Sequence, residues 1–239
     1  RAGLQNLWYP ICQSTAVAGP PHGMTRLGVD IVAWRDTSGR VYVQSDSCLH
    51  RGTRLSEGVV GNDQIRCAYH GWSYDGEGRC LHIPTSRNAN ETLAPKLSLQ
   101  TYPCQERAGL VWAYFAEQGA ATPDLVLPPE LEDPEWSGFI CEIVWDVNWI
   151  LILENLADPM HGPFLHSNSF TLSRGTLEDD MRIIRNDNGF TVERSGQRGV
   201  NFDWAEFYWA GTLWVRLDIP LPWGPRGTLR IVGMVTPID

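Results

Sequence analysis

Residues 48–72 read CLHRGTRLSEGVVGNDQIRCAYHGW. Within this stretch Cys48 and His50, then sixteen residues, then Cys67 and His70 give the pattern Cys-x-His, x16, Cys-x-x-His. Two thiolates and two imidazoles form a ligand set for a [2Fe-2S] cluster, with the cysteines on one iron and the histidines on the other. Such a cluster has a higher potential than an all-cysteine one, because neutral ligands replace anionic ones. Structural zinc sites use the same residue types but favour Cys-x2-4-Cys or His-x3-5-His pairs of one kind. Here each half supplies one of each kind and runs on into a glycine, Gly52 or Gly71, which lets backbone N–H groups approach sulfur closely. The chain reads as an electron carrier or a user of electrons.

A second constellation lies in residues 154–166, ENLADPMHGPFLH. Asp158, His161 and His166 suit a mononuclear Fe(II) site, in which two imidazoles and a carboxylate occupy one face and leave positions open for dioxygen. On a regular helix residues three apart share a face, whereas residues five apart differ by about 140°. His161 and His166 therefore converge only if the helix is distorted between them, and Gly162 and Pro163 stand in that interval. A histidine pair beside a Pro/Gly break is, taken alone, as compatible with ordinary surface or core histidines.

On these residues the chain resembles the large (alpha, terminal oxygenase) subunit of the Rieske non-haem iron oxygenases. Thr53 and Tyr69 stand where Rieske proteins of the respiratory and photosynthetic cytochrome complexes carry an extra cysteine pair, which points to the oxygenase branch. The family pattern Asn-x-x-Asp-x-x-His-x-x-x-x-His matches at Asn155, Asp158, His161 and His166. The resemblance implies an α+β chain, with an N-terminal all-β Rieske [2Fe-2S] domain and then a catalytic domain whose curved antiparallel sheet grips a helix. It implies that Cys48, His50, Cys67 and His70 bind the cluster and that His161 and His166 bind the mononuclear iron. Asp158 would bridge to a cluster histidine, His70, of a neighbouring subunit, and Asn155 would lie close to the iron. Electrons would come from NAD(P)H through a reductase, with or without a ferredoxin. Dioxygen would then hydroxylate, dihydroxylate or demethylate an apolar, aromatic substrate, and the assembly would be a homotrimer. The family's third iron ligand, a carboxylate, lies further on than the 73 residues that follow His166, so it is expected beyond residue 239. No motif singles out Asp203, Asp218 or Asp239 for that place. The rival reading is a Rieske-type electron-transfer protein without a functional catalytic iron. A binding module that keeps a relic cluster is a third.

Composition fits an enzyme fragment. The 239 residues are 43% apolar and 10% aromatic, enough for one substantial core or two smaller ones. A net charge of −9 and the absence of any basic run argue against nucleic acid. Apolar runs such as Trp149 to Leu153 fall far short of the roughly twenty residues of a membrane span, and the start lacks a signal pattern. A cytoplasmic protein is expected. Of six cysteines two are cluster ligands, and the scattered Cys12, Cys80, Cys104 and Cys141 read as free thiols.

Period-2 patterning predicts a hairpin over 28–46 with its turn at Asp36 to Gly39, two strands about Gly109, a strand from Gly138 to Val147 and further strands after residue 180. The expected division is a Rieske domain at 1–117, a Pro- and acid-rich linker at 118–137 and an incomplete catalytic domain at 138–239. Trp72, beside His70, is expected to shield the cluster. Most of the eleven tryptophans read as core, while Trp204, Phe207, Trp209 and Trp214 are candidates for a flat apolar pocket. Glu106 and Arg107 match a charged spot in family members or form a solvated strand edge, and Met160 reads as packing.

Overall fold

The turn at Asp36 shows how the sequence builds the first half. The Asp36 carboxylate accepts bonds from the Ser38 N–H, the Ser38 hydroxyl and the Arg40 N–H, and Gly39 takes the left-handed conformation that closes the turn. The flanking alternation then forms the hairpin expected from the sequence, with Ile31 opposite Ser45 and Arg35 opposite Val41. The computed structural model describes residues 4–85, 87–116, 121–158, 161–169, 180–194, 204–220 and 228–239. The chain divides into two compact units, Arg1–Thr122 with Thr236–Asp239, and Pro123–Val235.

The first unit holds strands β1 (Leu7–Gln13), β2 (His22–Arg26), β3 (Val29–Arg35), β4 (Val41–Ser45), β5 (Val59–Gly61), β6 (Gln64–Arg66), β7 (Ser73–Tyr74) and β8 (Cys80–His82). The short helix α1 (Arg87–Thr92) and strands β9 (Thr101–Tyr102), β10 (Cys104–Arg107) and β11 (Leu110–Phe115) follow. They form three antiparallel sheets in the orders β1-β11-β10, β2-β3-β4-β9 and β5-β6-β7-β8. Pro103 separates β9 from β10 because it has no N–H to donate, so β9 pairs with β4 while β10 pairs with β11. Ala108 and Gly109 both have positive φ, the requirement of a tight two-residue hairpin, between β10 and β11. Trp8, Trp34 and Trp112 are fully buried, so these tryptophans are core, each contributing on the order of 3 kcal/mol of apolar burial. Glu106 faces Arg35 of the neighbouring sheet in a bidentate ion pair, both bonds 2.8 Å, which accounts for it structurally.

In the second unit, helix α2 (Trp149–Ala157) starts at Asn148, whose side-chain oxygen accepts the Ile150 N–H, and the one-turn helix α3 (Gly162–Leu165) follows. Strands β12 (Met181–Asn186), β13 (Gly189–Arg194), β14 (Trp204–Tyr208), β15 (Trp214–Pro220) and β16 (Thr228–Gly233) form a consecutive antiparallel sheet. Leu153, Leu156 and Ala157 of α2 pack on one face of it, against Ala205, Phe207 and Val215. At Gly233 a side chain would meet Leu156 at 3.2 Å, so the glycine admits the helix at close range. The opposite face carries Trp214, Arg216 and Arg230, and residues 123–136 lie there. Glu130, nearly buried, accepts from both Arg216 and Arg230, and the Trp214 indole N–H donates to the Val126 carbonyl. The stretch expected as a linker thus packs within the second unit.

The strand expected from Gly138 to Val147 is absent. Its alternation is present, yet no described strand pairs with it, and Phe139 is 90% exposed and Val144 72%. A strand exists only as part of a ladder, so apolar alternation without a partner leaves extended chain. Among the described residues no helix is long and apolar enough to cross a membrane. None of the six cysteines forms a disulfide.

The Arg35 guanidinium holds the Glu106 carboxyl below its ordinary value. A carboxylate lowered in the folded state contributes stability that is present above its unfolded pKa and lost as pH falls through the folded one. Glu106→Gln is therefore expected to cost roughly 0.5–1 kcal/mol at pH 7, with the difference from the parent shrinking at acid pH, as read by urea unfolding at both pH values.

Candidate metal centres

The two cysteine loops have the same backbone plan. The Cys48 N–H donates to the Thr53 carbonyl at 2.9 Å, and the Gly52 N–H returns to the Cys48 carbonyl at 2.8 Å. In the second loop the Cys67 N–H donates to the Trp72 carbonyl at 2.9 Å, and the Gly71 N–H returns to the Cys67 carbonyl at 3.1 Å. Both glycines have positive φ, +71° and +73°, so each loop closes through a left-handed residue four positions after its cysteine. The glycines were expected to let backbone N–H groups approach sulfur; each donates its own N–H to its loop's cysteine carbonyl, a closure that needs its positive φ, and within the closed first loop the His50 N–H reaches the Cys48 sulfur.

The thiols of Cys48 and Cys67 are buried at the base of these loops, while His50 is exposed and His70 half-exposed. The two Nδ1 atoms face each other at 3.0 Å, with the rings 4.5 Å apart at 66°. Trp72 lies flat on His50, ring centroids 4.9 Å apart and planes 2° from parallel, the shielding place expected for it. Partial desolvation, with His70 and Arg51 nearby, lowers the His50 imidazole below its ordinary value, favouring the neutral ring that binds metals. Burial pushes the Cys48 thiol up. A bound metal reverses that, because coordination removes the thiol proton. Among the described residues no three His, Cys, Asp or Glu side chains converge as for a single ion.

In the second unit α2 ends at Asp158, whose backbone is extended, and α3 begins at Gly162. The helix was expected to break at Pro163, between the two histidines. Pro163 instead sits in the first turn of α3, where a missing N–H costs no hydrogen bond, and α2 already stops upstream, at the extended Asp158. His161 and His166 flank this single turn with ring centroids 5.3 Å apart. The Asp158 carboxylate is 3.7 Å from His161 Nδ1, a buried ring nitrogen with no hydrogen bond of its own. The two imidazoles fit a shared ion, with Asp158 placed to orient one of them. Asn155 lies on the last turn of α2, its carbonyl accepting the Asp158 N–H at 3.3 Å. Met160, Asp203 and the side chain of Asp218 lie outside the described residues, and among the described residues no third ligand joins the histidines.

The aromatic candidates do not share one face. Phe207 pairs with Val215 and stacks on Phe190 at 4.5 Å on the face that carries α2, with Trp209 5.6 Å from Phe190. Trp214 pairs with Tyr208 and stacks on it at 4.8 Å on the other face. Strand alternation assigns them to opposite sides, and the Trp204 side chain lies outside the described residues. Sequence reasoning overlooked Tyr74, whose hydroxyl lies 3.3 Å from Cys48 Sγ. Its position between the second loop and a Gly-rich turn gave no signal.

Comparison with known proteins follows the two units. Residues 7–103 match the Rieske [2Fe-2S] domain, and residues 145–233 match the vanillate O-demethylase oxygenase C-terminal domain. The chain is 34% identical over 180 residues to the phthalate 4,5-dioxygenase oxygenase subunit of Pseudomonas putida, covering 72% of this chain and 39% of that protein. It is 32% identical over 205 residues to the 5,5'-dehydrodivanillate O-demethylase oxygenase subunit of Sphingobium sp., covering 80% of this chain and 47% of that one. The chain thus spans less than half of either relative. In fold it is similar to dicamba monooxygenase bound to dicamba, with TM-score 0.80, 23% identity, and coverage of 100% of this chain and 75% of that one.

The loop geometry yields a direct test. Gly71→Ala forces a side chain into a left-handed position, with its Cβ 3.2 Å from the Pro84 ring. It is expected to cost about 1–2 kcal/mol and to lower cluster content, measured by thermal unfolding and by iron and visible absorption per chain.

Proposed function

Because the chain belongs to the Rieske non-haem iron oxygenases, we propose that it is part of a terminal oxygenase that passes electrons from a Rieske cluster to a mononuclear iron and uses dioxygen to oxidise an apolar, aromatic substrate. The observation that carries this reading is the presence of both donor sets in one chain. Cys48, His50, Cys67 and His70 lie together in the first unit, and His161 and His166 flank α3 beside Asp158 in the second. A plain electron carrier has no use for the second set.

The cluster would accept one electron at a time and the mononuclear iron would activate dioxygen. The remaining work is done by side chains. Cys48 and Cys67 anchor the cluster from the interior, while the more exposed His50 and His70 hold its outer side, where electrons would enter and leave. Trp72 stacks on His50 and keeps water from one face of that ring. Asp158, 3.7 Å from His161 Nδ1, would orient that ring by closing on this nitrogen, leaving Nε2 for iron, and in an assembled trimer it would also meet His70 of a neighbouring subunit, as a carboxylate held between two imidazoles. On the helix-bearing face of the sheet the exposed Trp209, beside Phe190, offers an apolar surface suited to a planar substrate, while Phe207 is buried in the core that α2 covers. The phthalate and dehydrodivanillate named for the two relatives support an aromatic substrate. A reductase using NAD(P)H, with or without a ferredoxin, would supply the electrons, and a cytoplasmic homotrimer is the assembly we propose.

Low-temperature EPR of anaerobically reduced, iron-loaded protein tests this reading, recorded before and after adding nitric oxide. A Rieske signal plus a new high-spin iron–nitrosyl signal that disappears in His161→Ala is the expected result. A Rieske signal alone would favour the electron-carrier reading. Asp158→Asn is expected to keep the Rieske signal and substrate affinity while slowing single-turnover oxidation at least tenfold; turnover at the parental rate would remove the bridging role.

A further inference from the structure

A groove of about 440 Å3 runs beside the second cluster loop, and no step above uses it. One wall is the loop itself, at Cys67, Ala68 and Gly71, and another comes from a single row across the sheet β5-β6-β7-β8. In that row Val59 stands opposite Arg66, Arg66 opposite Ser73, and Ser73 opposite His82, and directly paired residues share a face. Arg66 and His82 thus lie two strands apart, about 10 Å, on one side of the sheet. Both are exposed. Arg35, Arg54 and Arg79 of the same unit each meet a carboxylate, whereas among the described residues the Arg66 guanidinium has no such partner. The groove has no acidic lining residue, so a fixed positive charge and a ring nitrogen stand beside a cluster cysteine with nothing to pair them. Charge elsewhere narrows what the groove can receive. The second unit has eight Lys and Arg against seventeen Asp and Glu, while the first has eleven of each. The formal charge of −9 therefore belongs to the second unit, which repels an acidic protein and leaves the first unit as the side such a protein approaches.

We propose that the groove beside Cys67 is the docking site of an acidic one-electron carrier protein of the ferredoxin type, with an Asp or Glu of the carrier meeting Arg66 and His82. The inference rests on the cluster reading above and adds to it a place of entry. His50 and His70 are then left to pass the electron on, since His70 is the ring that Asp158 of a neighbouring subunit would meet. Docking brings the carrier's redox centre against the loop that holds a cluster cysteine. One electron crosses, the carrier is oxidised and the cluster reduced, and no bond forms or breaks. A guanidinium suits this contact because it holds a carboxylate through two parallel N–H bonds, which fixes the carrier's orientation as well as its place. Val59 and Pro84, both exposed at the groove, give the contact an apolar part that excludes water.

The test is stopped-flow reduction of the iron-loaded protein by a plant-type [2Fe-2S] ferredoxin, an acidic carrier of low potential, and in parallel by reduced benzyl viologen, a small cation. Arg66→Glu and His82→Glu are compared with Arg51→Glu, which places the same charge beside the exposed His50. At low ionic strength the ferredoxin rate is expected to fall about tenfold in Arg66→Glu and about fourfold in His82→Glu, with the gap to the parent narrowing as salt is raised. The viologen rate is expected not to fall, and Arg51→Glu to slow ferredoxin far less than Arg66→Glu does. A ferredoxin rate that is unchanged in both groove variants, that falls as much in Arg51→Glu, or that falls together with the viologen rate overturns the inference. So does a parent that viologen reduces and ferredoxin does not. If Arg66→Glu fails to hold its cluster, His82→Glu is judged against Arg51→Glu in the same way. Absence of a Rieske spectrum in the parent overturns the cluster reading itself, so the parent's spectrum tells the two failures apart.

Discussion

The pairing on which the candidate site depends is a small one, a glycine N–H bonded back to the carbonyl of a cysteine four residues earlier, made once in each loop. Gly52 closes the Cys48 loop and Gly71 closes the Cys67 loop, both through left-handed backbone. This shared closure turns the histidines toward one another although they sit at different offsets, two residues after the first cysteine and three after the second. The sheet β5-β6-β7-β8 carries the second loop between β6 and β7, and its core includes Cys48, Cys67, Trp72 and Tyr74. Sulfur is held in a packed interior and imidazole at its rim, an arrangement that suits a cofactor which must be both protected and reachable.

The second unit meets a different constraint. Its sheet has two apolar-and-charged faces with different occupants, α2 on one and residues 123–136 on the other. The second contact is fastened by Glu130 between Arg216 and Arg230. A nearly buried carboxylate is tolerable there because two guanidiniums meet it. On the helix face α2 ends at Asp158, and the one-turn α3 sets His161 and His166 on its two ends.

The hairpin at Asp36 to Gly39, the strands about Gly109, the cluster loops and the apolar helix before Asp158 were all legible, because each is written in residues close together in the chain. Turn residues with special φ, period-2 alternation and paired ligand spacing are local signals. The misreadings were of a different kind. Residues 138–147 alternate as a strand should but have no described strand beside them, and pairing is a property of two segments. Pro163 was read as the cause of the kink, whereas its place in the first turn of α3 depends on where the preceding helix stops. The spacing of Phe207 and Trp214 left open which face each takes, and register put them on opposite faces.

The sequence by itself determined the candidate donor sets, since residue identity and spacing, Cys48 with His50 and Cys67 with His70, then Asp158 with His161 and His166, are covalent facts that no packing alters. Tertiary structure alone decided which groups surround that chemistry: Trp72 flat on His50, Tyr74 on the Cys48 sulfur, Arg35 against Glu106, Glu130 between two arginines. Those contacts join residues up to 100 positions apart, and they exist because buried polar groups must find partners wherever the folded chain brings them.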